Sequence, residues 1–522
     1  MARLSLLVPA LVVLLAGASA AQIPAASQGA ISVTYTPPLL GRTTTLTVAA
    51  PPLTDFIVVT DALPGAIGIP PYGTLFLGGS PALNVEFSSF AGPVGPIGID
   101  GQAQFPFTIP ANPALTGLVL FLQAFGTDAA SPSGFSFSNA VSYVVAAPDS
   151  YVPTGNGMAE GRAFHRLAPL PDGGQLVVGG GDGQFLLPVA SSTCERFDPY
   201  LRLFGPAPAM THARTLHRVT ALLDGRILVT GGSDTGGVGQ GTAEIFDPVT
   251  QSWSAPIPMN AVRIGHTATL LADGRVLCSG GAASFVLNPP TSTNYLPIFQ
   301  SAQNSAEIFD PATNQFTPLP AMSEKRMGHA ATRLPSGKVL LTGGIRDGFL
   351  LFGTGAPLYA LTSELFDPVT NAFTTAASPT ISRVVHSQNV LPDGTVLMLG
   401  GAGGTLVVSV GSSEIYDETN DTWTPGPPLP AGQTLALHEV TPLPDGRLYV
   451  SGGAVGAVGS FSALPAAYLY DVAQGFTTLA PLDLPRLAHA AFLTREGVLL
   501  VGGADDGSPS VARSSAVHWA GP

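Results

Sequence analysis

The chain has 522 residues, a net charge of −13, and charged side chains at only 11% of positions. Its 62 glycines and 49 prolines, about a fifth of the chain, exclude a helical bundle, because breakers at that density interrupt every helix. The 45% hydrophobic content excludes a disordered chain, and the acidic balance excludes the basic footprint of a nucleic-acid binder. A turn-rich, all-β protein of two or three domains remains.

Residues 1–20 come first. Arg3 precedes an apolar run, Leu4 to Gly17, that is too short for a membrane span. It closes on Ala18-Ser19-Ala20, the small-x-small pattern of a secretory signal. Cleavage near Ala20 and secretion follow as expectations: to the extracellular space, the cell surface or the periplasm. No later stretch is long and apolar enough for a membrane span.

Residues 22–147 read as eight short strands between Pro and Gly turns, a pattern that predicts a small β-sandwich. Ala146 to Asp149 reads as the linker, and residues 148–522 as the second domain.

A repeat dominates that second domain. Gly-Gly pairs begin at 179, 231, 280, 343, 400, 452 and 502. A histidine stands 13 or 14 residues before each: His165, His217, His266, His329, His386, His438 and His489. Between them lie two apolar runs around an Asp-Gly turn, as at Asp273-Gly274, where the pattern predicts a hairpin with positive φ at both central residues. A third strand carries an aromatic (Phe197, Phe246, Phe309, Phe366, Tyr416, Tyr470), and a fourth carries another (Phe204, Trp253, Phe316, Phe373, Trp423, Phe476). A four-stranded unit repeating near fifty residues predicts a propeller of seven blades. The seventh unit stops near Trp519, before a fourth strand, and the segment around Tyr151 has the fourth-strand pattern. An N-terminal strand is therefore expected to close the last blade and remove two open edges.

The order R-x-x-H, Asp-Gly, Gly-Gly, aromatic-Asp and Trp/Phe resembles the kelch repeat over residues 150–520. The resemblance implies a fold like the central domain of galactose oxidase, shared by sialic-acid mutarotases and many protein-binding modules. The N-terminal segments resemble a β-domain found in secreted proteins of some environmental bacteria.

The loops after each Gly-Gly are long and share one face of the disc with the entry to the next blade. They carry Phe285, Tyr295 and Phe299 in blade three, Phe349, Phe352 and Tyr359 in blade four, and Phe461 in blade six. Such aromatics suit a protein or glycan partner, and they equally suit packing of the loops on one another. The seven histidines occupy one repeat position each, and a ring that wide cannot converge on one metal ion, so a structural role is expected.

An arginine lies three residues before the histidine in six blades: Arg162, Arg214, Arg263, Arg326, Arg383 and Arg486. A glutamate on the third strand of five blades (Glu195, Glu244, Glu307, Glu364, Glu414) can pair with it. Blade six has Leu435 and Tyr468 at these two positions, and this joint loss is what a buried pair predicts. Blade seven keeps Arg486 but reads Ala516 at the glutamate position. Arg486 is thus the arginine expected to be free for a ligand, unless Asp505 or Asp506 takes it.

Cys194 and Cys278 fall in non-neighbouring units and are expected as free buried thiols. No residue set matches a copper–radical centre, and no cofactor or metal is expected. The reading is a non-catalytic protein- or carbohydrate-binding module acting through the long-loop face. The alternative is a carbohydrate-active enzyme of the sialate-mutarotase type, recruiting Arg486 with Asp505, or Glu439 beside His438. Ligand and oligomeric state are not legible.

Overall fold

The computed structural model describes, before residue 135, the strands named here and a few residues beside them. From 135 to 519 it describes all but 185–186, 287–294, 352–353, 458–460, 495–496 and 506–512. The expected signal segment lies outside the described residues.

In the N-terminal region each of the eight expected strands is present, and Pro64–Ile69 adds a ninth among the described residues. That strand pairs with Gly73–Leu77 as a separate hairpin, and its Pro and Gly content hides it from a pattern search. The remaining strands form one three-stranded and one four-stranded antiparallel sheet.

Seven antiparallel blades follow, each four-stranded except that the outer strand of blade two is split into Ser252–Trp253 and Ile257–Pro258. Blade one runs Arg166–Pro169, Gln175–Val178, Cys194–Asp198, Leu203–Ala207. Blade seven pairs Ala490–Thr494, Gly497–Val501 and Ala516–Trp519 with Tyr151–Pro153 from the other end of the chain, with Tyr151 opposite Trp519. The ring is closed as the sequence predicts. The second strands of blades one to six are buried along their whole length, as in Val339–Thr342, because each lies between two neighbouring sheets. The third- and fourth-strand aromatics face each other in register, with ring centroids 4.9–5.2 Å apart in blades one to six. In blade seven Trp519 instead stacks on Tyr449 of blade six at 4.2 Å.

Two local readings are corrected. At the hairpin turns only the glycine is left-handed (Gly225, Gly274, Gly394 and Gly446, φ 87–90°), while the aspartate stays on the right-handed side. Gly225 N–H donates to Leu222 O, and Leu222 N–H to Arg226 O, so the turn is a right-handed one finished by a glycine bulge. The Asp224 carboxylate stays useful by accepting from Arg226 N–H. In blade seven the third strand is displaced by one residue from the expected alignment. Val517 lies opposite Leu500, the register that Glu195 holds opposite Val177, so Val517 rather than Ala516 stands at the glutamate position. By the same shift Trp519 is the third-strand aromatic, and His518 is a buried core residue beside Phe197.

Candidate functional site

The blades are locked together around their axis before any ligand is considered. Every repeat histidine is buried. In each Gly-Gly pair the first glycine lies against the imidazole of the next blade, and the second against the histidine Cβ of its own. A Cβ on Gly280 would sit 2.9 Å from His329 Cε1 and 2.4 Å from Arg326 O; a Cβ on Gly281 would sit 2.9 Å from His266 Cβ. Both glycines also have positive φ, so no other residue fits. Five of the imidazoles reach a hydroxyl: His266 to Thr230, His329 to Thr267 and Ser279, His386 to Thr342, His438 to Ser387, and His489 to Ser451. Burial pushes the pKa of all seven down, to about 4 for His438 and about 3 for His386 and His489, so the ladder is uncharged.

The arginines complete the lock. Arg162, Arg214, Arg263, Arg326 and Arg383 are fully buried and pair with Glu195, Glu244, Glu307, Glu364 and Glu414 at 2.7–3.0 Å. Each also donates to the carbonyl of its own first Gly-Gly residue, as Arg263 does to Gly280 O at 2.8 Å. In blade six Leu435 and Tyr468 are both buried and take the place of the pair. Arg486 is not the free arginine it was expected to be. It is fully buried, bonds Gly502 O, Ser515 O and Ser515 Oγ, and pairs with Asp483 at 3.3 Å. Its partner comes from three residues upstream, while Asp505 lies 3.8 Å from Arg513 instead.

The residue before each histidine forms a collar on the axis. Phe164, Leu216, Gly265, Gly328, Val385, Leu437 and Ala488 all have left-handed φ, 50–64°. Five inter-blade N–H···O bonds link them: Gly265 to Leu216, Gly328 to Gly265, Val385 to Gly328, Ala488 to Leu437 and Phe164 to Ala488. Strain of this kind persists only where the surroundings enforce it, and here the enforcing contact is the neighbouring blade.

On the loop side of the collar lies an apolar cup of about 110 Å³. Phe285, Tyr295, Phe299 and Phe461 line it with Val407, and Phe164, Leu216 and Leu437 form its floor. The aromatics predicted in blades three and six thus converge on one site. A short helix, Leu296–Gln300, positions two of them: its Ile298 and Phe299 are buried, and Tyr295 precedes it. Blade four contributes differently. Phe349 sits, about a third exposed, on the hairpin Ile345–Leu351/Thr354–Tyr359, outside the cup. Tyr359 is half-buried against the same cluster, and its hydroxyl donates to Gly404 O at 3.0 Å. Phe352 lies outside the described residues.

On the other side of the collar is a polar chamber of about 290 Å³ inside the channel. Arg166, Arg218 and Glu439 line it together with Ser387, Gln388 and Asn389. Glu439 lies 3.9 Å from Arg166, each side chain about a third exposed to the channel. Ala490, at the same inner-strand position of the intervening blade seven, leaves room for that approach. Arg218 Nε donates to His266 O at 2.6 Å. Burial, reinforced by Arg166, lowers the Arg218 pKa to about 9. Burial raises that of Glu439 against the pull of both arginines. Sequence reasoning named Glu439 but not Arg166 or Arg218. The available signal was the position just after each ladder histidine, which reads Arg, Arg, Thr, Ala, Ser, Glu, Ala through the seven blades.

Fold and repeat chemistry together define a seven-bladed β-propeller built on kelch-type units. A family pattern described as the Kelch motif matches residues 214–260. The chain is 28% identical over 168 residues, 29% of its length, to the Kelch-like protein terF of Aspergillus terreus (strain NIH 2624 / FGSC A1156), and spans about a third (35%) of that relative. Its fold is similar to a solved fungal alcohol oxidase of the AA5 family in complex with copper. TM-score is 0.54 and identity 17%, over 72% of this chain and 76% of the other. These likenesses support a kelch β-propeller assignment.

The donor set of this chain differs from what copper requires. Among the described residues no three His, Cys, Asp or Glu side chains converge on a metal position. Cys194 and Cys278 are free and buried in separate blades, and burial raises their thiols to about 11 and about 12, the reverse of what a thiolate ligand needs. The residues present do not fit that metal. No helix among the described residues is long and apolar enough to cross a membrane.

Proposed function

We propose that this chain is a secreted, non-catalytic protein-binding propeller whose long-loop face receives an apolar side chain of a partner in the aromatic cup. The observation that carries this is the convergence of Phe285, Tyr295, Phe299 and Phe461 around a cavity with almost no polar lining. A rigid scaffold that spends three long loops on one concave apolar site is built for an anchor residue. A glycan is a poorer fit, because its hydroxyls need polar partners that the cup lacks. The carbohydrate-active alternative loses Arg486, which is locked in its blade, and keeps only Glu439. In this reading the N-terminal sheets form a sandwich domain that precedes the propeller.

Panning a displayed library of random peptides against the full chain tests the reading. Enriched peptides should share an apolar anchor and lose binding to Phe285→Asn and Phe461→Asn, two half-buried positions at the rim. Peptides that bind those variants undiminished, or a glycan array that yields ligands where the peptide library yields none, would overturn it.

A further inference from the structure

The chamber beneath the collar does not belong to the cup, and its charges do not cancel. Arg166 and Arg218 occupy equivalent positions in adjacent blades, and Glu439 is the carboxylate beside them. The histidines that line the same chamber, His329, His386, His438 and His489, are neutral. One positive charge is therefore unmatched inside a channel walled by protein.

The arginine hydrogen bonds are also incomplete. Arg166 Nε is buried and has no acceptor. Among the described residues the terminal nitrogens of Arg218 make no hydrogen bond, and those of Arg166 come no nearer to an acceptor than the 3.9 Å approach to Glu439. This contrasts with the lock arginines, each of which donates from a terminal nitrogen to its Gly-Gly carbonyl and is paired with a carboxylate. Guanidinium groups that face a confined channel with terminal N–H groups left over mark a ligand position.

We propose that this chamber is a binding site for a small organic monocarboxylate, its carboxylate held between Arg166 and Arg218. A planar guanidinium offers paired N–H groups that match the two oxygens of a carboxylate, which a spherical halide cannot use. A single negative charge completes the balance, whereas a dianion such as sulfate would overshoot it while Glu439 is ionised. Asn389 and Ser387, in the same lining, offer polar groups for the body of the molecule, and about 290 Å³ limits it to a small one.

Calorimetric titration of the full chain with propionate, and separately with chloride and with sulfate, tests the site. Propionate should bind once per chain and tighter than either inorganic ion. Arg166→Gln and Arg218→Gln should each weaken it at least ten-fold. Because an interior arginine variant can lose its fold, Glu439→Gln provides the independent arm: removing the competing carboxylate should tighten propionate several-fold and let sulfate bind. Binding of chloride in preference to propionate, no binding of propionate at all, or affinity unchanged in folded Arg166→Gln and Glu439→Gln would overturn the assignment. None of these readouts involves the cup, so Phe285→Asn should leave propionate affinity unchanged.

Discussion

Asp149 accepts a hydrogen bond from the Trp519 indole N–H at 2.9 Å, across 370 positions of chain. Its other carboxylate oxygen accepts from Ala480 N–H at 2.8 Å, so one side chain ties the segment entering the disc to blades six and seven. Read from the sequence Asp149 is the end of a linker; in the structure it is part of the closure. Next to it the Tyr151 hydroxyl lies 3.0 Å from that of Tyr449 and donates to Ala480 O.

Closure makes the first prediction. Deleting Tyr151–Pro153 leaves Ala516–Trp519 as an unpaired edge and exposes Trp519. Open edges template association. The deleted chain should melt at lower temperature and form oligomers, measured by light scattering against the parent. A monomer with unchanged melting would contradict the closure.

The arginine–glutamate pairs predict strong non-additivity. Arg263→Leu or Glu307→Tyr alone strands a buried charge and should cost about 3–5 kcal/mol. The double variant copies the Leu435 and Tyr468 arrangement of blade six and should recover most of that loss, because an uncharged pair replaces a matched ionic one. Denaturant unfolding of the three variants gives the coupling directly.

The histidine ladder predicts acid lability. All seven imidazoles have folded pKa values below the ordinary one. Below about pH 6.5 the unfolded chain takes up protons that the folded chain refuses, so stability falls as pH falls. It is fully present above that pH. Each histidine contributes a slope of up to about 1.4 kcal/mol per pH unit, and for His438, His386 and His489 the fall should level off near pH 4 and pH 3. Melting temperature across pH 4–8 should show the decline, and His266→Gln should reduce its steepness.

The glycines predict a contrast. Gly280→Ala drives a methyl into Arg326 O and the His329 ring and should cost several kcal/mol, at the destructive end of single substitutions. Gly337→Ala meets nothing within 4 Å and carries only the penalty of its left-handed backbone, about 1 kcal/mol. Comparing the two melting temperatures separates contact from conformation.

The blade number, the closing strand, the repeat positions of the histidines and the Arg–Glu pairing were legible in the sequence alone. All four are written in a repeat copied seven times, so each copy checks the others, and the joint loss in blade six stands out against the rest. The eight N-terminal strands were legible for a simpler reason, alternation between turn residues. Where a blade departs from the repeat, legibility failed: blade seven carries its third strand one residue out of step, and Arg486 takes Asp483 from its own segment instead of a glutamate across the sheet. The chamber was hidden altogether, since Arg166, Arg218 and Glu439 come from blades one, two and six, and only closure of the ring brings such distant positions face to face. Side chains pointing into an axis answer to their opposite numbers across it and not to their neighbours in the chain, so no local pattern announces them.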